Sequence, residues 1–292
     1  MARHYRFFLR NNESWNLILE EKYELLEKTE PEIFFQLVKV LRAGQGDLVT
    51  LMPMGKSDGR SDLEAMRRAG VTDTRPMSSF EYDFEVVSVT KKAVGFLKKG
   101  VRETQNELSF PLTLWLCFPN KTDKLEFILQ KAVEIGVTEI KLFQADFSQK
   151  THVLRFDRLG KILLEAAEQS ERNSVPEFTA EGRLSDMLGH ALEAEKNDEF
   201  AERFGNVWVA MERMGKASEG IFGAGAMDGG SASKNIDWRG ITVLIGPEGG
   251  FSEAEKALLM GLPFHKFSLG KRVLRMERAA IVSLGLAAMR DS

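Results

Sequence analysis

The sequence predicts an α/β protein in two parts, a smaller strand-rich part over residues 1–105 and a larger part over 106–292 with a largely parallel sheet flanked by helices. Three observations predict it. From Leu112 onward, short apolar runs alternate with segments whose apolar residues recur at helical spacing, the pattern of βα units. Before Glu103, short β-branched runs are separated by turn residues, the pattern of a small barrel. Near the end, a strand followed by a glycine turn and a helix occurs twice in succession. The length of 292 residues exceeds one typical domain and agrees with two.

Composition narrows the function classes. Apolar residues make up 43% and charged residues 28%, ordinary values for a globular protein in water. A formal net charge of −3 carries no basic footprint, so contact with nucleic acid would need a local basic face. The lone Cys117 cannot form an internal disulfide, which fits a reducing cytosol, and its apolar neighbours suit a buried thiol rather than a nucleophile. The N-terminus lacks the pattern of a signal peptide, and no run approaches the ~20 apolar residues of a membrane span, so a cytoplasmic protein is expected. His4, His152, His190 and His265 share no metal-ligand spacing, and no metal is expected.

In chain order, residues 5–9 read as a strand and 13–28 as mixed, partly strand-like sequence. Residues 34–41 carry apolar groups at helical spacing and stop at Arg42-Ala43-Gly44. Gly44 to Asp47 is turn chemistry, and 48–52 is a strand. Residues 57–79 are polar with Gly59, Gly70 and Pro76, a long loop or insertion. Residues 80–89 and 93–97 are strands, and the polar stretch 103–109 is the linker. Beyond it come a strand at 112–118, a helix at 123–135 ending at Gly136, a strand at 139–143, helices at 158–171 and 184–194, and a strand at 207–211. Residues 215–234, rich in Gly, Ala and Ser, read as a mobile surface loop.

The last fifty residues organise the chain. Residues 241–245 are apolar and β-branched, as in a buried strand. Gly246-Pro247-Glu248-Gly249-Gly250 cannot continue it, because Pro lacks an N–H and Gly is free to turn. Ser252 and Glu255 then form the S-x-x-E signature of a capped helix. Residues 265–269 are a second short strand, followed by Gly270-Lys271-Arg272 and an Ala-rich helix reaching Met289. One glycine turn is ordinarily only a turn; two in tandem can wall one pocket at the carboxyl ends of strands, where open α/β sheets bind ligands. Neither loop is a Walker or dinucleotide-binding motif.

IGPEGGFSEAE followed by SLGKRVLRMERAA resembles the C-terminal signature of the RsmE-type 16S ribosomal RNA uridine-N3 methyltransferases of the SPOUT superfamily. NKTDKLEFILQKAVEIGV at 120–137, EAAEQSERNSVP at 165–176 and QLVKVLRAGQGDLVTL at 36–51 resemble further stretches of the same family. Three places depart from it. Phe34 and Phe35 stand where the family has a histidine before the V-L-R stretch, Ala145-Asp146-Phe147-Ser148 stands where it has T-E-R-S, and Arg278 stands where it has threonine.

The resemblance implies a SPOUT-type α/β trefoil-knot methyltransferase domain at 106–292, a PUA-like β-barrel RNA-binding domain at 1–105, a homodimer, S-adenosylmethionine as cofactor and small-subunit ribosomal RNA as partner. It implies cofactor contacts, mostly through backbone, at Met211, Glu212, Ile245, Gly246, Pro247, Glu248, Gly249, Gly250, Leu269, Gly270, Arg272, Val273, Leu274, Met276 and Ala279. Arg3, Arg6, Arg10, Lys39, Arg42, Lys121, Lys124 and Arg172 are the basic candidates for RNA contact, since cationic side chains supply most sequence-independent affinity. N3 of uridine carries a proton that must leave on methylation. Arg275 is the candidate cation for the anionic ring; Glu248 or Glu277 is the candidate proton acceptor, unless Glu277 caps the last helix. The alternative is a catalytically inactive RNA-binding or ribosome-assembly protein with the same fold.

Overall fold

The computed structural model describes residues 2–11, 14, 18–53, 80–103, 106–148, 154–211, 219–220 and 240–291. The expected insertion at 57–79, Glu212 and all of the 215–234 loop except Glu219–Gly220 lie outside the described residues. The chain divides into two compact units, one of Met1–Glu107 with Ala167–Val175, the other of Leu108–Ala166 with Pro176–Ser292.

The first unit is built on five strands: β1 (His4–Leu9), β2 (Lys22–Leu26), β3 (Leu48–Pro53), β4 (Phe80–Val89) and β5 (Ala93–Glu103). They lie in the order β1-β3-β4-β5-β2. β1 runs parallel to β3, and the other pairs are antiparallel. In β2 the buried residues are Tyr23 and Leu25, the period-2 alternation of a strand with one face on the core. Tyr23 stacks on Phe96, with ring centroids 5.8 Å apart, and Phe84 packs against both. The end strands β1 and β2 are not paired with each other among the described residues, so the sheet is described as open. Helix α1 (Pro31–Phe35) begins with Pro, whose missing N–H costs nothing in a first turn, and runs on into a π turn at Gln36–Val40. There the Leu41 N–H donates to the Gln36 carbonyl at 2.8 Å, and Arg42 follows with φ +51°.

The segment Ala167–Val175 is part of this first unit through buried polar contacts. Arg172, 2% exposed, forms an ion pair with Glu107 at 2.6 Å, and its Nε donates to the same carboxylate at 3.1 Å. Asn173 Nδ2 and Arg6 Nη2 both donate to Glu81 Oε1, at 2.9 and 2.7 Å. Burial pushes Glu81 up, but the hydrogen bonds from Arg6 and Asn173 outweigh it and hold the carboxyl below its usual range.

The second unit is a sheet of seven parallel strands in the order β10-β12-β9-β11-β6-β7-β8. They are β6 (Leu112–Cys117), β7 (Glu139–Gln144), β8 (Glu177–Arg183), β9 (Asn206–Ala210), β10 (Glu219–Gly220), β11 (Ile241–Ile245) and β12 (His265–Ser268). The helices are α2 (Thr122–Ile135), α3 (Phe156–Gln169), α4 (Leu184–Lys196), α5 (Phe200–Phe204), α6 (Glu253–Gly261) and α7 (Met276–Ala288). All five residues of β11 are buried, and successive side chains point to opposite faces, so both faces of the central strand are covered. α2 packs against α7 and α4 against α6. Cys117 is buried at the end of β6, and burial pushes its thiol pKa well up, which leaves it protonated and unreactive. Because every strand runs the same way, the carboxyl ends all open on one edge.

Candidate functional site

The loop after β11 is held by groups that follow β6 and β7, the next two strands on one side of it. Ser252 caps α6: its Oγ accepts from the Glu255 N–H at 3.2 Å, and Glu255 Oε2 accepts from the Ser252 N–H at 2.9 Å. The other oxygen of Glu255, which is 2% exposed, accepts from the Asp146 N–H at 2.9 Å in the turn after β7. Asp146 answers through both its oxygens, accepting from Ser252 Oγ at 2.7 Å and from Arg183 at 3.0 Å. The hydrogen bond from Ser252, then that from Arg183, holds the Asp146 carboxyl below its usual range. Glu248 accepts from Lys124 Nζ at 2.9 Å and from the Asn120 N–H at 3.3 Å, both at the start of α2. The Phe251 ring lies on Gly246, where an added Cβ would stand only 2.7 Å from the ring. Pro247 is buried, Glu248 and Gly249 are exposed, and Gly250 turns at φ +75°.

The loop after β12 is different. Leu269 and Leu274 are half-buried, Lys271, Arg272, Val273 and Arg275 are exposed, and Gly270 turns at φ +102°. The Gly270 carbonyl accepts from Ser268 Oγ at 3.2 Å. No side chain from Leu269 to Arg275 makes a hydrogen bond or ion pair among the described residues. Arg275 is the N-cap of α7, with buried Met276 first in the helix and the Ala279 N–H donating to the Arg275 carbonyl at 2.9 Å. Glu277, in the first turn, keeps Oε2 buried without a hydrogen-bond partner.

The strand order brings these loops together. β9 lies between β11 and β12, so the two glycine turns leave the same edge about 10 Å apart, two strand spacings. Met211, at the end of β9, stands between them, and its N–H donates to the Phe267 carbonyl at 2.9 Å. Met211, Ile245 to Gly250 and Leu269 to Ala279 therefore share one edge of the sheet, while Glu212 lies outside the described residues. A small apolar recess lies elsewhere, lined by Trp208, Val243, Phe267, Ser283, Leu286 and Arg290, and includes none of the residues nominated from sequence. No local sequence signal marks the roles of Asp146 and Asn120, which come from contacts with residues more than a hundred positions away.

The basic residues nominated for RNA contact divide into two sets. Arg3, Arg10, Lys39, Arg42 and Lys121 are exposed. Arg3 still donates to the Leu41 carbonyl at 2.9 Å, and Arg10 pairs with Glu32 at 2.7 Å. Lys124 is tied to Glu248. Arg6 and Arg172 are committed inside the first unit to Glu81 and Glu107. Among the described residues no group of three or more His, Cys, Asp or Glu is placed to hold a metal, and no helix is long and apolar enough to cross a membrane.

Residues 106–288 match the RNA methyltransferase domain. The chain belongs to the RNA methyltransferase family. This RNA methyltransferase is 32% identical over 213 residues to the ribosomal RNA small subunit methyltransferase E of Bacillus subtilis, covering 70% of this chain and 76% of that protein. It is 32% identical over 194 residues to the protein of the same name from Mesomycoplasma hyopneumoniae, covering 64% of this chain and 71% of that one. Its fold matches the crystal structure of a ribosomal RNA small subunit methyltransferase E from Neisseria gonorrhoeae bound to S-adenosyl methionine. That match has a TM-score of 0.66 at 24% identity, over 99% of this chain and 97% of the other. The RNA methyltransferase domain thus includes every loop of the edge described above.

Proposed function

We propose that this RNA methyltransferase uses S-adenosylmethionine to methylate N3 of a uridine in 16S ribosomal RNA. The observation that carries the reading is that β11, β9 and β12 are neighbours, so the two glycine turns and Met211 line one edge. The residues there fit such a cofactor. A Cβ added at Gly250 or Gly270 would meet nothing within 4 Å, so the backbone of both turns faces open space. Ile245, Leu269 and Leu274 supply apolar walls, and the orphaned oxygen of Glu277 sits at the head of α7. Ile245 to Gly250, Leu269, Gly270, Arg272, Val273, Leu274, Met276, Ala279, Met211 and Glu212 would hold it. When bound it supplies a methyl group activated by a sulfonium.

The chain's own residues then do two things. They hold the uridine ring in line with the methyl group, which supplies much of the rate. They also stabilise the ring as its N3 proton leaves. Arg275, exposed and without an ion pair among the described residues, is the cation for that anion. Of the two carboxylates, Glu248 is engaged by Lys124 and Asn120, whereas Glu277 has an unmet oxygen; Glu277 is therefore the proposed proton acceptor.

The same reading includes a trefoil knot, supported by the passage of the chain from β11 over β9 to β12, and a homodimer. It assigns the first unit as a PUA-like RNA-binding barrel, with Arg3, Arg10, Lys39 and Arg42 as its exposed cations. Two measurements test it. Calorimetry with S-adenosylmethionine should show binding at one site per chain; no binding removes the enzyme reading and leaves the inactive RNA-binding protein. Mass spectrometry of digested 16S ribosomal RNA from a strain lacking the gene should show one uridine without its methyl group, and the purified enzyme should restore it.

A further inference from the structure

Phe147 is a large apolar side chain that the fold leaves mostly uncovered. It is 56% exposed, at the corner of the turn that follows β7. The turn itself is tightly fixed. The Ser148 N–H donates to the Ala145 carbonyl at 3.0 Å, and the Ala145 N–H donates to Ser148 Oγ at 3.0 Å. The residue before the ring, Asp146, is pinned by Glu255, Ser252 and Arg183. The backbone of this turn touches the glycine loop: a Cβ added at Gly249 would lie 3.1 Å from Phe147 Cβ and 3.5 Å from its carbonyl oxygen, but 3.9 Å from the first ring carbon. Contact with the loop is thus made by the base of the side chain and the main chain. More than half of the side chain is left open to solvent.

We propose that the Phe147 ring is a stacking platform for an unpaired base of the RNA substrate, beside the wall of the cofactor loop. Several observations favour this occupant. The family acts on RNA, and single-stranded RNA is recognised chiefly by stacking bases on exposed aromatic rings held in place beforehand. The carboxyl edge carries a cation available to a phosphate backbone: Lys121, exposed and without an ion pair among the described residues, in the loop after β6, the strand between β7 and β11. The two carboxylates nearest the ring along this edge, Asp146 in the same turn and Glu248 beside Gly249, are paired with Arg183 and Lys124. The inference rests on the methyl-transfer reading for the identity of the RNA, but the stacking contact needs no cofactor.

Fluorescence anisotropy of a labelled single-stranded oligouridine with the full chain tests the contact, alongside calorimetry with S-adenosylmethionine and thermal melting. Phe147→Ala and Phe147→Leu should each weaken RNA binding about tenfold, the scale of one lost base–aromatic stack, while Phe147→Trp binds as tightly as the parent or tighter. Cofactor affinity and melting temperature should stay at parental values in all three. The proposal is overturned if Phe147→Leu binds RNA like the parent, since apolar bulk would then suffice. It is equally overturned if Phe147→Ala loses cofactor affinity and RNA affinity together, since the ring would then be holding the glycine loop. A parent that binds RNA but no S-adenosylmethionine would sink the methyltransferase reading and leave the stacking contact standing.

Discussion

The two glycine turns look alike in sequence and are built in opposite ways. The turn after β11 is fastened from outside. Glu255, Asp146 and Glu248 each reach to or from a neighbouring loop, so the side chains of this wall are occupied with one another. The turn after β12 has no such fastening, and the side chains of Lys271, Arg272 and Arg275 have no partner among the described residues. What the first wall has left for a ligand is backbone at a fixed position. What the second has left is charge. On the proposed reading, the cofactor would lie against the fixed wall, and the unpaired one would answer to the substrate.

Substitutions should separate the two walls. Glu255→Ala removes the acceptor for two N–H groups and half of a capping box, and should lower the unfolding free energy by about 3 kcal/mol in a urea titration, with loss of cofactor binding. An unchanged titration midpoint would mean that the fastening is idle. Arg275→Met on the other wall should leave stability within about 0.5 kcal/mol but lower kcat roughly 100-fold, as loss of an electrostatic stabiliser does. If stability fell as well, Arg275 would be holding structure and the contrast between the walls would disappear.

Gly270→Ala should cost about 1 kcal/mol of stability from the left-handed backbone at φ +102°, without steric clash, because nothing lies within 4 Å of the added carbon. Lys124→Met removes a half-exposed ion pair with Glu248 and should change stability by no more than about 0.5 kcal/mol. Last comes pH. The folded-state pKa of Asp146 is depressed, so its contribution is present above the unfolded value of about 3.9 and is lost as pH falls below that towards the folded value. In acid titrations followed by circular dichroism, the stability lost below about pH 4 should be smaller in Asp146→Asn than in the parent.

Much of this layout is legible along the chain, for a physical reason. Strands such as Leu112–Cys117 and Ile241–Ile245 are buried on both faces and so are apolar throughout, and helix Thr122–Ile135 carries its core residues at helical spacing up to Gly136. The capping box of Ser252 and Glu255 is local and was readable as a motif. β8 was missed: its residues, Glu177–Arg183, are exposed or half-buried and mostly polar, so neither alternation nor an apolar run marks them as the edge of a parallel sheet. The π turn at Gln36–Val40 reads as ordinary helix, since its composition is that of one. At the site, the glycine turns were visible and their fastening was not. Whether Asp146 meets Ser252, or Glu248 meets Lys124, depends on strand order, and no local signal encodes that.

The placement of Ala167–Val175 bears on how the molecule is made. Glu107 and Glu81 belong to the part of the chain that leaves the ribosome early, yet their partners Arg172 and Asn173 are synthesised some sixty to ninety residues later. During translation Glu107 awaits its cation, while Glu81, already paired with Arg6, awaits the amide of Asn173. A fragment cut at Glu107 lacks both partners, so the N-terminal unit is completed only by chain made after the second unit has begun.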